Sequence, residues 1–139
     1  MAQFRAPAAT AVSAVGNRLG IVAKRTKVTL DTSGGTTDIS NFIPAGAVIL
    51  GIMVEVGVEV GGTYIDKIGV DGDADLFVDQ LGSGTLQQVG DIVTTGGPIW
   101  ASARGAYFGA ADTLRLTCRA TPSGGQVKVV MVYIDGKKF

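Results

Sequence analysis

The longest apolar stretch of the chain, residues 48–60, alternates aliphatic side chains in the manner of a β-strand. Successive side chains of a strand point to opposite faces, so the even-numbered residues should share one buried face. That face comprises Leu50, Ile52, Val54, Val56, Val58 and Val60. The stretch is longer than the usual strand of about 5 or 6 residues, so we expect bends or bulges at Gly51 and Gly57. It predicts the central strand of a hydrophobic core.

Shorter alternating segments predict further strands. They lie at residues 21–31, 63–70, 76–81, 89–95, 99–103, 113–119 and 126–134. Residues 36–42 are predicted to be a polar approach to the central strand, and Gly61-Gly62 predicts a tight hairpin into residues 63–70. No window has the 3.6-residue apolar spacing of a good amphipathic helix. About eight short strands separated by turns predict an all-β fold, an antiparallel β-sandwich of jelly-roll type with an extended N-terminal arm.

The arm is predicted to cover residues 1–20 and to precede a single β-sandwich domain over residues 21–139. It is rich in alanine, contains Pro7 and has no apolar period. Such a segment is ordered only where something holds it, so we expect it to lie across a neighbouring subunit or a larger surface. Its apolar run is far shorter than the roughly 20 residues that span a bilayer, and no membrane partner is expected.

Charge is segregated along the chain, although 12 basic and 12 acidic residues give a formal net charge of zero. Residues 1–30 carry five basic groups and no acidic one, residues 31–103 carry ten acidic groups and one basic, and residues 104–139 carry six basic and two acidic. The five basic groups near the start are Arg5, Arg18, Lys24, Arg25 and Lys27. The ends therefore suit docking on an acidic surface, which could be the middle of a neighbouring copy. The basic cluster is sparse and lacks aromatic neighbours, so nucleic acid is an unlikely partner.

Few residues are available for catalysis. The chain has no histidine, and its single cysteine, Cys118, falls at an inward position with Leu114 and Leu116. Cys118 is therefore predicted to be a small core residue rather than a nucleophile. No set of residues supplies a nucleophile, a base and an orienting group, so we predict that the protein is not an enzyme and needs no cofactor.

Three alternating aspartates, Asp71, Asp73 and Asp75, resemble the start of a calcium-binding loop. The EF-hand pattern also requires glycine at the sixth position and glutamate at the twelfth, where this chain has Leu76 and Gly82. We therefore predict a solvated turn and no metal site, with calcium at the aspartates left as the alternative.

Four segments carry a family resemblance when they are taken together. They are residues 43–46 (Ile-Pro-Ala-Gly) before the Val-rich strand, 61–63 (Gly-Gly-Thr), 68–77 (IGVDGDADLF) and the Gly-Gly turn with its following strand at 124–130 (GGQVKVV). Over about residues 41–133 the chain resembles a β-sandwich module of tailed-phage and phage-like virion proteins, such as head decoration, head spike and tail fibre proteins. Leu76 stands where that family often has an arginine. The resemblance implies a virion structural protein without catalysis, usually oligomeric and often trimeric.

Within that family, the small size and the arm favour a phage head decoration or cement protein. We expect a homotrimer that binds the major capsid protein on the outer surface of the capsid. The five basic residues Arg5, Arg18, Lys24, Arg25 and Lys27 are the predicted capsid or subunit contacts.

Two other functions remain open. A receptor- or carbohydrate-binding module of a spike or tail fibre would need an exposed aromatic platform, for which Trp100, Tyr107 and Phe108 are the candidates. A small capsid protein whose arm faces the genome is the third hypothesis, which the low charge of the arm disfavours.

Overall fold

The computed structural model describes residues 20–94 and 107–136, and its elements are β-strands. In chain order they are β1 (Ile21–Thr29), β2 (Thr36–Ile43), β3 (Ala47–Val58), β4 (Ile65–Val70), β5 (Asp73–Val78), β6 (Ile92–Thr94), β7 (Tyr107–Phe108), β8 (Asp112–Cys118) and β9 (Gln126–Asp135). Sheet A has the order β1-β9-β3-β6, with β7 also paired to β3, and sheet B has the order β2-β8-β4-β5. The strand pairs are antiparallel and the two sheets pack as a sandwich, which confirms the predicted all-β fold.

The core lies between the sheets, and β3 is central to it as predicted. It pairs with β9 from Ala47 to Val58, and β9 pairs in turn with β1. Sheet A contributes the fully or almost fully buried Ile52, Val54, Val56, Val127, Val129 and Met131, and sheet B contributes Ile65, Ile68, Leu114 and Leu116. Each such side chain stabilises the fold by about 1.5–3 kcal/mol before conformational entropy is counted.

Two irregularities in the β3–β9 pairing confirm the bends expected at the glycines. The register shifts between Ile49 and Gly51 and again between Val56 and Val58. An extra residue at a bulge reverses which residues face the core. Ile49 is therefore buried and Leu50 is only half-buried, while Val58 is 51% exposed. The prediction that Leu50 and Val58 share the buried face was wrong for this reason.

Two predicted connections were also wrong. Residues 36–42, predicted as a polar approach, belong to β2, an edge strand that pairs with β8. Gly61-Gly62 does not close a hairpin, because β3 and β4 belong to different sheets. The Gly61 N–H donates to the Gly124 carbonyl and the Ser123 N–H donates to the Gly61 carbonyl, so this link pairs with the turn before β9.

The remaining predicted strands correspond to β1, β4, β5, β6, β8 and β9, with ends shifted by a few residues. The strand predicted at residues 99–103 lies outside the described residues. Of the predicted arm only Gly20 is described, and its carbonyl accepts a hydrogen bond from the Asp135 N–H at 2.6 Å.

Cys118 lies in the core with Leu114 and Leu116, as predicted. Burial raises the pKa of its thiol to about 11. At pH 8 the folded protein should therefore react with a thiol reagent on the order of 100-fold more slowly than the guanidinium-unfolded protein, because the thiolate is the reactive form. Stopped-flow measurement with a chromogenic disulfide checks this, and equal rates in the two states would show that the thiol is accessible.

Gly69 on β4 has no room for a side chain. A Cβ there would press against the backbone of Asp73 and Ala74. Gly69→Ala should lower the free energy of unfolding by about 1–3 kcal/mol, because β5 would have to move away. Urea denaturation measures the loss. Gly51→Ala is the matched control, since no atom lies within 4 Å of a Cβ at that position. A loss at Gly51 as large as that at Gly69 would contradict the steric argument.

Candidate interaction surface

The outer face of sheet B is polar. Strand register places Asp38, Arg115 and Gly69 in one row, and Thr36, Thr117 and Lys67 in the next. Half of a sandwich's strand residues point away from the core, and polar side chains at those positions are the usual sign of contact with water. Sheet B therefore presents an ordinary solvent-facing surface.

The outer face of sheet A is much more apolar. Its rows across β1, β9 and β3 are Ile21–Ile134–Val48, Ala23–Val132–Gly51, Arg25–Val130–Met53 and Lys27–Lys128–Glu55. The first two rows contain no charged residue. Ile21 is 44% exposed, and Ile92, which extends the fourth row on β6, is 50% exposed. The third and fourth rows carry Arg25, Lys27, Lys128 and Glu55 beside these apolar residues. Exposed apolar side chains grouped in this way are typical of contact surfaces, which makes this face the candidate.

A groove with a volume of about 440 Å³ lies on this face. Its lining includes the apolar side chains of Met53 and Val130 and the charged residues Arg25, Lys27, Lys128 and Glu55. Arg25, Lys27 and Lys128 form no ion pair with any residue in 20–94 or 107–136. The groove suits an anionic group carried on an apolar segment.

The structure separates the predicted basic contacts into two kinds. Arg25 and Lys27 point outward on sheet A. Lys24 instead donates from Nζ to the Phe42 carbonyl at 2.9 Å, and the same ammonium group lies 4.9 Å from the Phe42 ring centroid. Lys24 thereby ties β1 to β2, the edge strands of the two sheets, along one edge of the sandwich. Arg5 and Arg18 lie outside the described residues, and the contact role of all five residues stays a prediction.

The predicted aromatic candidates are also placed differently from one another. Tyr107 is 58% exposed, whereas Phe108 is buried and its ring centroid lies 6.2 Å from that of Phe77. Trp100 falls outside the described residues. Of the two candidates that the structure describes, Tyr107 is the one exposed enough to meet a ligand or partner.

Arg115 organises the polar face of sheet B, a role that the sequence did not reveal. Its Nε and Nη2 donate to the Asp38 carboxylate at 2.7 and 2.9 Å, and Nη2 also donates to Asp71 Oδ1 at 2.8 Å. The hydrogen bond from Arg115 lowers the pKa of Asp38. Arg115 was correctly predicted to point outward, but its partners are 77 and 44 residues away and only the strand register brings them together.

The Asp71 carboxylate therefore already has the Arg115 guanidinium as its partner, which makes it a poorer calcium ligand. Within the described ranges, no group of three or more His, Cys, Asp or Glu side chains is arranged to hold a metal ion. Over those same residues there is no helix long and apolar enough to cross a membrane.

Comparisons with known proteins show similarity in fold. No protein-family model matches the sequence, and no curated protein matches it. The structure is similar to a chain of the cyanophage Pam1 capsid asymmetric unit, with a TM-score of 0.52 and 17% identity, covering 82% of this chain and 84% of that one. At this identity the match establishes a shared fold.

Two further structures fall below a TM-score of 0.5 and add nothing to the fold assignment. One is the capsid of the Helicobacter pylori bacteriophage KHP30, at 0.49 and 12% identity over 83% of this chain and 89% of that one. The other is the major capsid protein P2 of bacteriophage PM2, at 0.48 and 15% identity over 83% of this chain and 44% of that one.

The Asp38–Arg115 pair should stabilise the protein in a pH-dependent way. The pKa of Asp38 is lower in the folded state than in the unfolded chain, so its contribution is present above about pH 4 and is lost as the pH falls through the folded-state pKa. Asp38→Asn should cost about 1 kcal/mol or less at pH 7, since the pair is partly exposed, and less still at pH 3. Urea denaturation at both values measures this.

Asp75→Asn serves as the control for this prediction. Asp75 is exposed and forms no ion pair with a described residue, so the substitution should change the free energy of unfolding little at either pH. A cost for Asp38→Asn that stays constant from pH 7 to pH 3 would show that the charge of Asp38 is not the stabilising element.

Proposed function

We propose that this protein is a non-enzymatic structural protein of a phage virion, and specifically a head decoration protein that binds and stabilises the capsid as an oligomer. The observation that carries the proposal is the difference between the two outer faces of the sandwich. Sheet A offers an apolar face, two of whose rows carry no charge, and sheet B offers a polar one. A protein seated on a shell needs one face for the lattice and one for solvent, and this sandwich has both.

The shared fold with a chain of the Pam1 capsid supports the assignment to a virion. The family resemblance of residues 43–46, 61–63, 68–77 and 124–130 supports the same class independently of the structure. We propose the outer capsid surface as the location and the major capsid protein as the partner, with a homotrimer as the oligomeric state.

The arm is proposed to act together with the outer face of sheet A. Gly20, the last residue of the arm, directly precedes β1, the edge strand of that sheet. Its carbonyl accepts the hydrogen bond from the N–H of Asp135 at the end of β9. The arm carries Arg5 and Arg18 and has no acidic residue. An arm leaving this edge can extend the same contact surface over an acidic region of the capsid protein.

A deletion of residues 2–19 tests the arm. The truncated protein should unfold at the same urea concentration as the full chain and keep its oligomeric state, because it retains every residue of the sandwich. Its affinity for phage heads that lack the protein should fall at least about tenfold, which corresponds to roughly 1.4 kcal/mol of lost contact energy. Co-sedimentation with the heads measures binding.

The double substitution Arg5→Ala and Arg18→Ala separates charge from length in the same assay. If the double substitution lowers the affinity for heads less than the deletion does, both the charge and the length of the arm contribute to binding. Normal binding by the truncated protein would show that the arm is not the contact.

Exposure of Tyr107 favours one alternative, a glycan- or receptor-binding module of a spike or tail fibre. Binding of the full chain to host glycans, abolished by Tyr107→Ala, together with no binding to heads, would support that function instead.

A further inference from the structure

We infer that the groove on the outer face of sheet A receives the acidic β5 edge of a second copy of this chain, so that copies associate head to tail. The inference rests on one element of the proposed function, the oligomeric state, and says which surfaces would join the copies. Its evidence is the opposite charge of two surfaces at opposite sides of one sandwich.

The basic surface is the groove described above. Arg25 and Lys27 on β1 and Lys128 on β9 are exposed and have no counter-charge within 4 Å among the described residues. Glu55 is the one acidic residue in the lining. Met53 and Val130 provide apolar contact area between these charges. The groove thus lacks the anion that would balance it.

The acidic surface is the outer strand of sheet B. Asp73, Asp75 and Asp79 are exposed on or directly after β5, and no basic residue occurs in the sequence from 68 to 103. Asp75 and Asp79 form no ion pair with a described residue, since the guanidinium of Arg115 is bonded to Asp38 and Asp71. The half-buried Leu76 and Val78 alternate with these carboxylates and give the edge some apolar surface.

The two surfaces lie on opposite sides of the molecule. β1 is an outer strand of sheet A and is tied to β2 by Lys24, whereas β5 is the strand of sheet B farthest from β2. A contact between unlike surfaces is heterologous, and it generates a ring when the rotation between copies closes. Charge complementarity between the two surfaces favours this arrangement and sets its register.

Other occupants of the groove fit less well. A two-fold contact centred on the groove would bring Arg25, Lys27 and Lys128 of both copies together, and like charges oppose such a pairing. The arm carries Arg5 and Arg18 and no acidic residue, so these cations repel it too. The acidic edge of a second copy supplies the missing charge.

Charge reversal tests the interface in purified full-length protein. Arg25→Glu with Lys27→Glu makes the groove acidic, and Asp75→Lys with Asp79→Lys makes the β5 edge basic. Each double variant should associate at least about tenfold more weakly than the wild type in sedimentation equilibrium, because each now pairs like charges. The quadruple variant, with both surfaces reversed, should regain the wild-type association. An equimolar mixture of the two doubles should regain pairwise association between unlike copies, which alternate and therefore cannot close a ring of three. Wild-type association should weaken with added salt.

Arg119→Glu is the control, since Arg119 is an exposed cation directly after β8 of the other sheet and should leave association unchanged. Urea unfolding shows whether each variant is folded. A wild type that stays monomeric at all accessible concentrations would overturn the interface, as would a folded quadruple variant that does not associate or doubles that associate normally. These measurements contain no capsid. A negative result would therefore overturn only the contact between copies, and the deletion of residues 2–19 would still test the contact between the arm and the capsid.

Discussion

The pairing of β3 with β9 is the interaction on which the rest of the structure depends. These two strands form the middle of sheet A, and their inward side chains supply much of the buried core. Their outward side chains form the middle of the apolar outer face. Central strands that are apolar on both sides are expected where both faces of a sheet are covered. One strand pair therefore both stabilises the fold and forms the apolar outer face that is proposed to meet a partner.

The sequence was sufficient for the fold class because Val-rich alternation and frequent Gly turns leave few other architectures. The register of β3 could be predicted only in part. A bulge at Gly51 was expected, but whether Leu50 faces the core depends on which residue of the bulge is the extra one. The strand β2 was missed because its first buried position is the polar Thr37 and its alternation breaks at Ser40 and Asn41, where the register with β8 shifts.

The candidate surface was predictable only in part. The sequence shows that cations cluster in residues 24–27. Their different roles depend on the structure, because Lys24 points to the opposite side of β1 from Arg25 and Lys27 and there meets Phe42 of β2. The contribution of Lys128 came from the register of β9, which pairs it with Lys27. Long-range register is what a single sequence does not disclose, and it also concealed the partners of Arg115.

Adjacent placement of β1 and β9 has a consequence for synthesis in the cell. The groove combines Arg25 and Lys27 from β1 with Lys128 from β9, so it exists only after the residues of β9 have left the ribosome. Pairings between such distant segments form slowly, because a long loop must close first. A nascent chain that has not yet reached β9 cannot present the finished groove.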